Sequence, residues 1–122
     1  MVVIPGILIE KYARVLAPAI SEGQLIYFNG AAGMLGIRFL NEAKKIGVEH
    51  DFFIAESNSL TYATRVNLED GIINLSLKVK ETLVAALPTR KTDLACSMIG
   101  EIYDGIRPVE NVLRIEIGRA HV

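Results

Sequence analysis

Gln24-Leu25-Ile26-Tyr27-Phe28-Asn29-Gly30-Ala31-Ala32-Gly33-Met34-Leu35-Gly36 runs from an apolar stretch through a glycine-rich loop into helical periodicity. Residues 24–28 read as a buried strand. Leu35, Phe39, Ala43 and Ile46 recur at helical spacing, which predicts a helix over residues 34–46 that Gly47 ends. Upstream, Val2-Val3-Ile4 reads as the end of another buried strand. Pro5-Gly6 then opens a helix over residues 7–19, with Leu8, Tyr12, Val15, Leu16 and Ala19 as its inward face. Downstream, residues 52–55 form a third short apolar strand. Strand and helix alternating in this way predict a parallel, doubly wound α/β sheet.

The rhythm changes after this third strand. Glu69-Asp70-Gly71 is a turn, and Ile73, Leu75, Leu77 and Val79 then alternate with polar residues, which predicts a strand with one wet face. Residues 82–87 form a strand stopped by Pro88. A helix follows over residues 91–103, capped by Thr89 or Thr92, with Leu94, Met98, Ile99 and Ile102 inward. Residues 111–117 read as a last short strand. The expected sheet is therefore mainly parallel, with a more antiparallel C-terminal part.

Composition removes several function classes. The 122 residues carry 13 Lys and Arg against 14 Asp and Glu, a net charge of −1, so there is no basic surplus for a nucleic-acid backbone. No stretch is long enough for a membrane span, and the start lacks the basic and apolar regions of a signal peptide. The single cysteine, Cys96, reads as a small buried apolar residue, and the setting as reducing and cytoplasmic. Two His and one Cys, widely scattered, give no metal site. His50 reads as a surface residue without a catalytic partner.

Gly30, Gly33 and Gly36 reproduce the G-x-x-G-x-x-G arrangement of short-chain dehydrogenase/reductases, and Glu56 stands twenty positions beyond Gly36, where an acid would meet a ribose. Two features oppose that reading. A complete strand–helix unit precedes the loop, and alternating strands rather than a second helix follow Glu56. Glycines that only shape a tight strand-to-helix connection are the other reading, and it is placed first.

Several segments in order resemble the NAD/NADP octopine/nopaline dehydrogenase family. Val3-Ile4-Pro5-Gly6 with Val15-Leu16-Ala17-Pro18 is similar to its fourth strand and following helix. Gly23-Gln24-Leu25-Ile26 and Asn29-Gly30 are similar to its fifth strand and Asn-Pro-Gly loop. Residues 55–65, Ala-Glu-Ser-Asn-Ser-Leu-Thr-Tyr-Ala-Thr-Arg, resemble its Ala-Glu-Thr…Leu-Pro-Tyr-Ala-Cys-Arg stretch. Ala85-Ala86-Leu87-Pro88 and Pro108-Val109-Glu110-Asn111-Val112-Leu113 extend the resemblance over nearly the whole chain. Gly30 and Thr61 stand where the family has proline, and Thr64 where cysteine is common.

The resemblance implies the later half of a Rossmann-like NAD(P)-binding domain over residues 1–116. It places the phosphate-binding loop before Met1 and the domain with the catalytic His after Val122, so no catalytic residue is expected in this chain. Residues 116–122, Glu-Ile-Gly-Arg-Ala-His-Val, read as the in-frame translation of a sequencing-adapter-like string. Residues 117–122 are accordingly expected to be a non-native tail, and His121 to carry no mechanistic role.

The implied enzyme condenses an amino acid with a 2-oxo acid and reduces the imine with NADH or NADPH. Ligands of a doubly wound sheet lie at the carboxyl ends of its strands. Ile4, Pro5, Gly6, Asn29, Gly30 and Glu56 are therefore the cofactor-binding candidates, and Ser57, Thr64 and Arg65 those for the substrate acid groups, Arg being suited to bidentate carboxylate binding. Each has a plainer role. Pro5-Gly6 makes a turn, Asn29 caps one, and Glu56 pairs with Arg65 in a structural or interdomain ion pair. Two other functions stay open: a short-chain-reductase-like nucleotide-binding domain on Gly30, Gly33 and Gly36, and a small non-catalytic binding domain complete in itself.

Overall fold

The computed structural model describes residues 1–31 and 33–119. After a short 3-10 turn, α1 (Ile9–Leu16) leads to β1 (Leu25–Phe28), α2 (Leu35–Lys45) and β2 (Phe53–Ser57). A hairpin of β3 (Tyr62–Asn67) and β4 (Ile72–Lys78) follows. The chain then returns through β5 (Thr82–Leu87), α3 (Thr92–Gly100), β6 (Ile106–Pro108) and α4 (Val112–Arg119).

Four strands form one sheet in the order β1-β2-β5-β6. β1 and β2 are parallel, β2 and β5 antiparallel, and β5 and β6 parallel. The expected first strand is reduced to a single parallel bridge from Val2 to Phe28, and Val3 beside it is 56% exposed. The expectation of an α/β, largely parallel sheet with an antiparallel element toward the C-terminus is met.

Side chains alternate across the sheet. Ile26, Phe28 and Ile54 pack under Ile9, Ala13, Ala17, Leu35, Phe39 and Ala43 of the α1–α2 layer. Ala85 extends the same side to Val112 and Ile115 of α4. Tyr27, Phe53, Ala55, Val84 and Ala86 face Ala95 and Ile99 of α3 on the other side.

Several local expectations are corrected. Helix α1 is rotated by one residue from the expected face: it buries Ile9 and Ala13, and Val15 is 70% exposed. Glu10, Lys11 and Arg14 fill the outer side, and the apolar side of Ile9, Tyr12, Ala13, Val15 and Leu16 is wide enough that spacing alone does not say which part of it is central. Helix α3 buries Ile99 as expected, with Ala95 beside it, but leaves Leu94 and Met98 outside, and Ile102 lies exposed beyond its end. Neither threonine caps it. The Thr92 hydroxyl instead accepts from the Ala86 N–H at 3.0 Å, satisfying a donor at the sheet edge.

The segment expected as a last strand is helix α4. Asn111 Oδ1 accepts from the Arg114 N–H at 3.2 Å, and Val112 and Ile115 are buried one helical turn apart. Residues 117–119 of the expected tail continue this helix, and residues 120–122, His121 included, lie outside the described residues.

Strands β3 and β6 have no counterpart among the sequence expectations. The hairpin β3–β4 stands away from the main sheet, with every residue of both strands exposed, so the expected dry face of β4 is open to solvent. No helix among the described residues is long and apolar enough to cross a membrane.

Candidate functional site

The parallel arrangement brings three strand ends to one edge. Val2 lies beside Phe28, with the Asn29 N–H donating to Val2 O at 3.2 Å, and Phe28 pairs with Glu56 on β2. Ile4-Pro5, Asn29-Gly30 and Glu56-Ser57 therefore lead away from the same end of the sheet. The sequence candidates Ile4, Pro5, Gly6, Asn29, Gly30, Glu56 and Ser57 come from these ends.

Ser57 organises the loop after β1. Its Oγ accepts from the Gly30 N–H at 2.8 Å and approaches Ser59 O at 3.0 Å, while its own carbonyl accepts from the Ala31 N–H at 3.0 Å. Ser57 is fully buried. Asn29 and Thr61, both buried, exchange hydrogen bonds at 3.3 and 3.4 Å. This pairing ties the loop to the start of β3. Gly30 has φ +81°, and a Cβ there would lie 2.9 Å from Leu60 Cγ, so both conformation and space demand glycine.

Beside Gly30 is an open cleft of about 400 Å³, lined also by Asn58, Ser59, Leu60, Tyr62, Ala63 and Val79. The Ser59 hydroxyl is buried there without a hydrogen-bond partner. Burial pushes the phenol of Tyr27, in the α3-side layer, upward, and the neighbouring Ser57 and Thr61 side chains oppose the shift.

Glu56 lies on the opposite face, 1% exposed, beneath the start of α2. Its Oε1 accepts from the Gly36 N–H, and Oε2 has no partner. Burial pushes its carboxyl above the ordinary carboxylate range; the Gly36 hydrogen bond opposes this, and the nearby Glu116 charge adds to it. The expected pair with Arg65 is absent from the described ion pairs. Arg65 sits on exposed β3 opposite Asn74, far along the hairpin.

Thr64 and Arg65 are successive strand residues and so point to opposite faces of the hairpin. Thr64 shares the face of Val66, Ile73 and Leu75, and Arg65 that of Ala63, Ile72 and Asn74. A register shift between Ala63 and Thr64, invisible in the sequence, sets this assignment.

The amides at the start of α2 are already engaged. Gly33 and Met34 N–H donate to Glu116 at 3.2 and 3.1 Å, and Gly36 N–H donates to Glu56. Carboxylates of the chain itself thus occupy the place where a pyrophosphate would meet a helix N-terminus. The glycines shape the connection: Gly33 has φ +74°, and Gly36 lets the helix lie directly on Glu56 and Ile54.

His50 is only partly exposed. Its ring packs 6.1 Å from that of Phe52, and Nε2 is buried without a partner. Cys96 is half-buried, its thiol pushed upward by desolvation. Among the described residues, no group of three or more His, Cys, Asp or Glu could hold a metal ion.

No protein-family model matches the chain, and no curated protein matches it. Solved structures do. Octopine dehydrogenase with NADH and L-arginine superimposes with a TM-score of 0.76 at 14% identity, over 95% of this chain and 29% of that one. Octopine dehydrogenase in complex with NADH and agmatine gives a TM-score of 0.69 at 13% identity, with the same coverage. The chain thus spans under a third of the proteins it superimposes on, and at these identities the likeness is one of architecture: this is an α/β, Rossmann-like fold of the kind found in octopine dehydrogenase.

Proposed function

We propose that the chain is part of an NAD(P)-dependent opine-type dehydrogenase, an enzyme that condenses an amino acid with a 2-oxo acid and reduces the resulting imine. Residues 1–116 form the later half of its Rossmann-like domain, and residues 117–122 are a non-native tail. The observation that carries this reading is the convergence of Ile4-Pro5, Asn29-Gly30 and Ser57 at one end of the parallel strands, on an octopine-dehydrogenase-like fold.

The residues present fit one end of a dinucleotide. The buried, unpartnered Ser59 hydroxyl beside Gly30 marks a cleft with unmet polar capacity, whereas the amides of α2 are filled by Glu56 and Glu116. When bound, the dinucleotide supplies the hydride. Ile4, Pro5, Gly6, Asn29 and Gly30 line its nicotinamide end in this reading. Glu56 acts from beneath, holding α2 at the height of the loop through Gly36.

Ser57 fixes the floor by anchoring Gly30, and Arg65 orients a substrate carboxylate from one face of β3, Thr64 lying on the other. The catalytic acid–base group belongs to another part of the enzyme. The partners are therefore small acids and the dinucleotide, in a cytoplasmic setting.

The test is expression of the complete reading frame from the source gene, followed by NADH and NADPH oxidation with a 2-oxo acid and an amino acid. The expected result is turnover that requires both substrates, and an Arg65→Ala variant whose KM for the acid substrate rises more than its kcat falls. A full-length product that oxidises either cofactor without an amino acid removes the proposal.

A further inference from the structure

The cleft beside Gly30 has walls without charge. Leu60, Ala63 and Val79 give it apolar sides, Tyr62 adds a ring, and Asn58 and Ser59 add polarity only. No acidic or basic residue among those described lines it. At about 400 Å³ the space is of the size that small molecules occupy, and a methyl group would leave most of it empty. A charged group placed inside would lose its water and meet no counter-charge.

A cation stands just outside. β3 leaves the cleft at Ala63, and Arg65, two residues on, lies on the same side of the strand, about 7 Å further along. Arg65 is exposed and has no ion-pair partner among the described residues. The other cations near the rim are placed differently. Lys78, opposite Tyr62, pairs with Asp104 at 2.6 Å, and Lys80 lies beyond Val79 in the bend that Gly105 abuts.

A free guanidinium beside uncharged room fits a molecule with a carboxylate at one end and an apolar side chain at the other. The two parallel N–H donors of arginine also fix how the carboxylate lies. We propose, resting on the dehydrogenase reading, that this cleft selects the 2-oxo acid of the reaction: it admits a branched or aromatic apolar side chain, with the carboxylate on Arg65. An acid with a second charge is refused, because that charge would enter the cleft without a partner.

Titration of the 122-residue chain with the 2-oxo acid analogue of leucine tests this without cofactor or turnover, read by the methyl resonances of Leu60 and Ala63. Expected is saturable binding at millimolar concentration, roughly tenfold tighter than the 2-oxo acid analogue of glutamate. Isobutyl methyl ketone, which lacks the carboxylate, is expected to bind roughly tenfold more weakly than the leucine analogue. Arg65→Gln should bring the acid down to the ketone and leave the ketone unchanged, with circular dichroism establishing that the variant is folded. Absence of saturable shifts overturns the proposal. So does equal binding of acid and ketone, or a loss in Lys80→Gln in place of Arg65→Gln. A complete enzyme that prefers the glutamate analogue overturns it too while upholding the dehydrogenase. An inactive full-length product with this binding pattern intact removes the dehydrogenase and leaves the preference of the cleft standing.

Discussion

Gly36 and Glu56 are in direct contact: the Gly36 N–H donates to the buried carboxylate, and a Cβ at position 36 would lie 2.7 Å from Oε1 and 3.0 Å from Ile54 Cγ2. No side chain fits without moving α2 away from β2. Gly36→Ala is expected to destabilise the chain by about 1–3 kcal/mol through overpacking, although alanine is the better helix former. Urea denaturation measures it; an unchanged or raised midpoint contradicts the contact.

Glu56 also makes stability depend on pH. Folding raises its affinity for a proton, chiefly by burial. A group with a raised folded value contributes stability that is complete below its unfolded range and disappears as pH rises through the folded value. Glu56→Gln mimics the neutral form and still accepts from Gly36. The variant's advantage over the parent chain should therefore grow as pH rises above the ordinary carboxylate range, by about 1.4 kcal/mol for every tenfold gain in proton affinity on folding. A difference that is flat with pH contradicts the assignment.

The tie between Asn29 and Thr61 joins the site loop to β3 through two buried polar side chains. Asn29→Ala or Thr61→Val alone leaves a buried group without its partner, at a cost of about 1–3 kcal/mol. The double variant should cost less than the sum of the two. A double-mutant cycle by thermal melting reads the coupling, and strict additivity would show the pair to be independent.

In isolation the chain is expected to bind no dinucleotide and to turn over no substrate. The helix amides that would face a pyrophosphate donate to Glu56 and Glu116, and no catalytic residue is proposed within it. Titration of NADH fluorescence should show no saturable change up to about 1 mM, a Kd that corresponds to only about 4 kcal/mol. Saturable binding abolished by Gly33→Ala would instead favour the short-chain-reductase reading of the loop.

Short apolar runs bounded by glycine, proline or polar residues make β1, β2 and β5 legible, and a helical stripe does the same for α2. The faces of α1 and α3 are not. Ile7, Leu8, Tyr12 and Val15 compete with Ile9 and Ala13, and small residues such as Ala95 carry the packing. Helix α4 is hidden because Val112, Leu113, Ile115 and Ile117 suit a strand as well as a helix; the discriminating signal is Asn111 as a cap.

At the site, the clustering of the three strand ends follows from parallel topology. The anchoring role of Ser57, the Asn29–Thr61 tie and the filling of the α2 amides by Glu116 depend on contacts between residues far apart in the chain, and no local pattern carries those. Arg65 and Glu56 suggest a pair in the sequence because both stand near a strand end. The bulge at Ala63/Thr64 and the projecting hairpin separate them.

Helix α3 covers only part of its side of the sheet, and beside β1 it leaves a groove of about 320 Å³ lined by Met1, Leu25, Tyr27, Met98, Ile102 and Tyr103. Two thioethers thus stand at one uncovered seam, with Met98 42% exposed and Met1 68% exposed. Peroxide will reach both and convert them to sulfoxides, a mass change that peptide mapping reads directly. Any segment that fills the seam would slow that chemistry, so the sulfur atoms make a built-in footprint of whether this side of the sheet is ever closed.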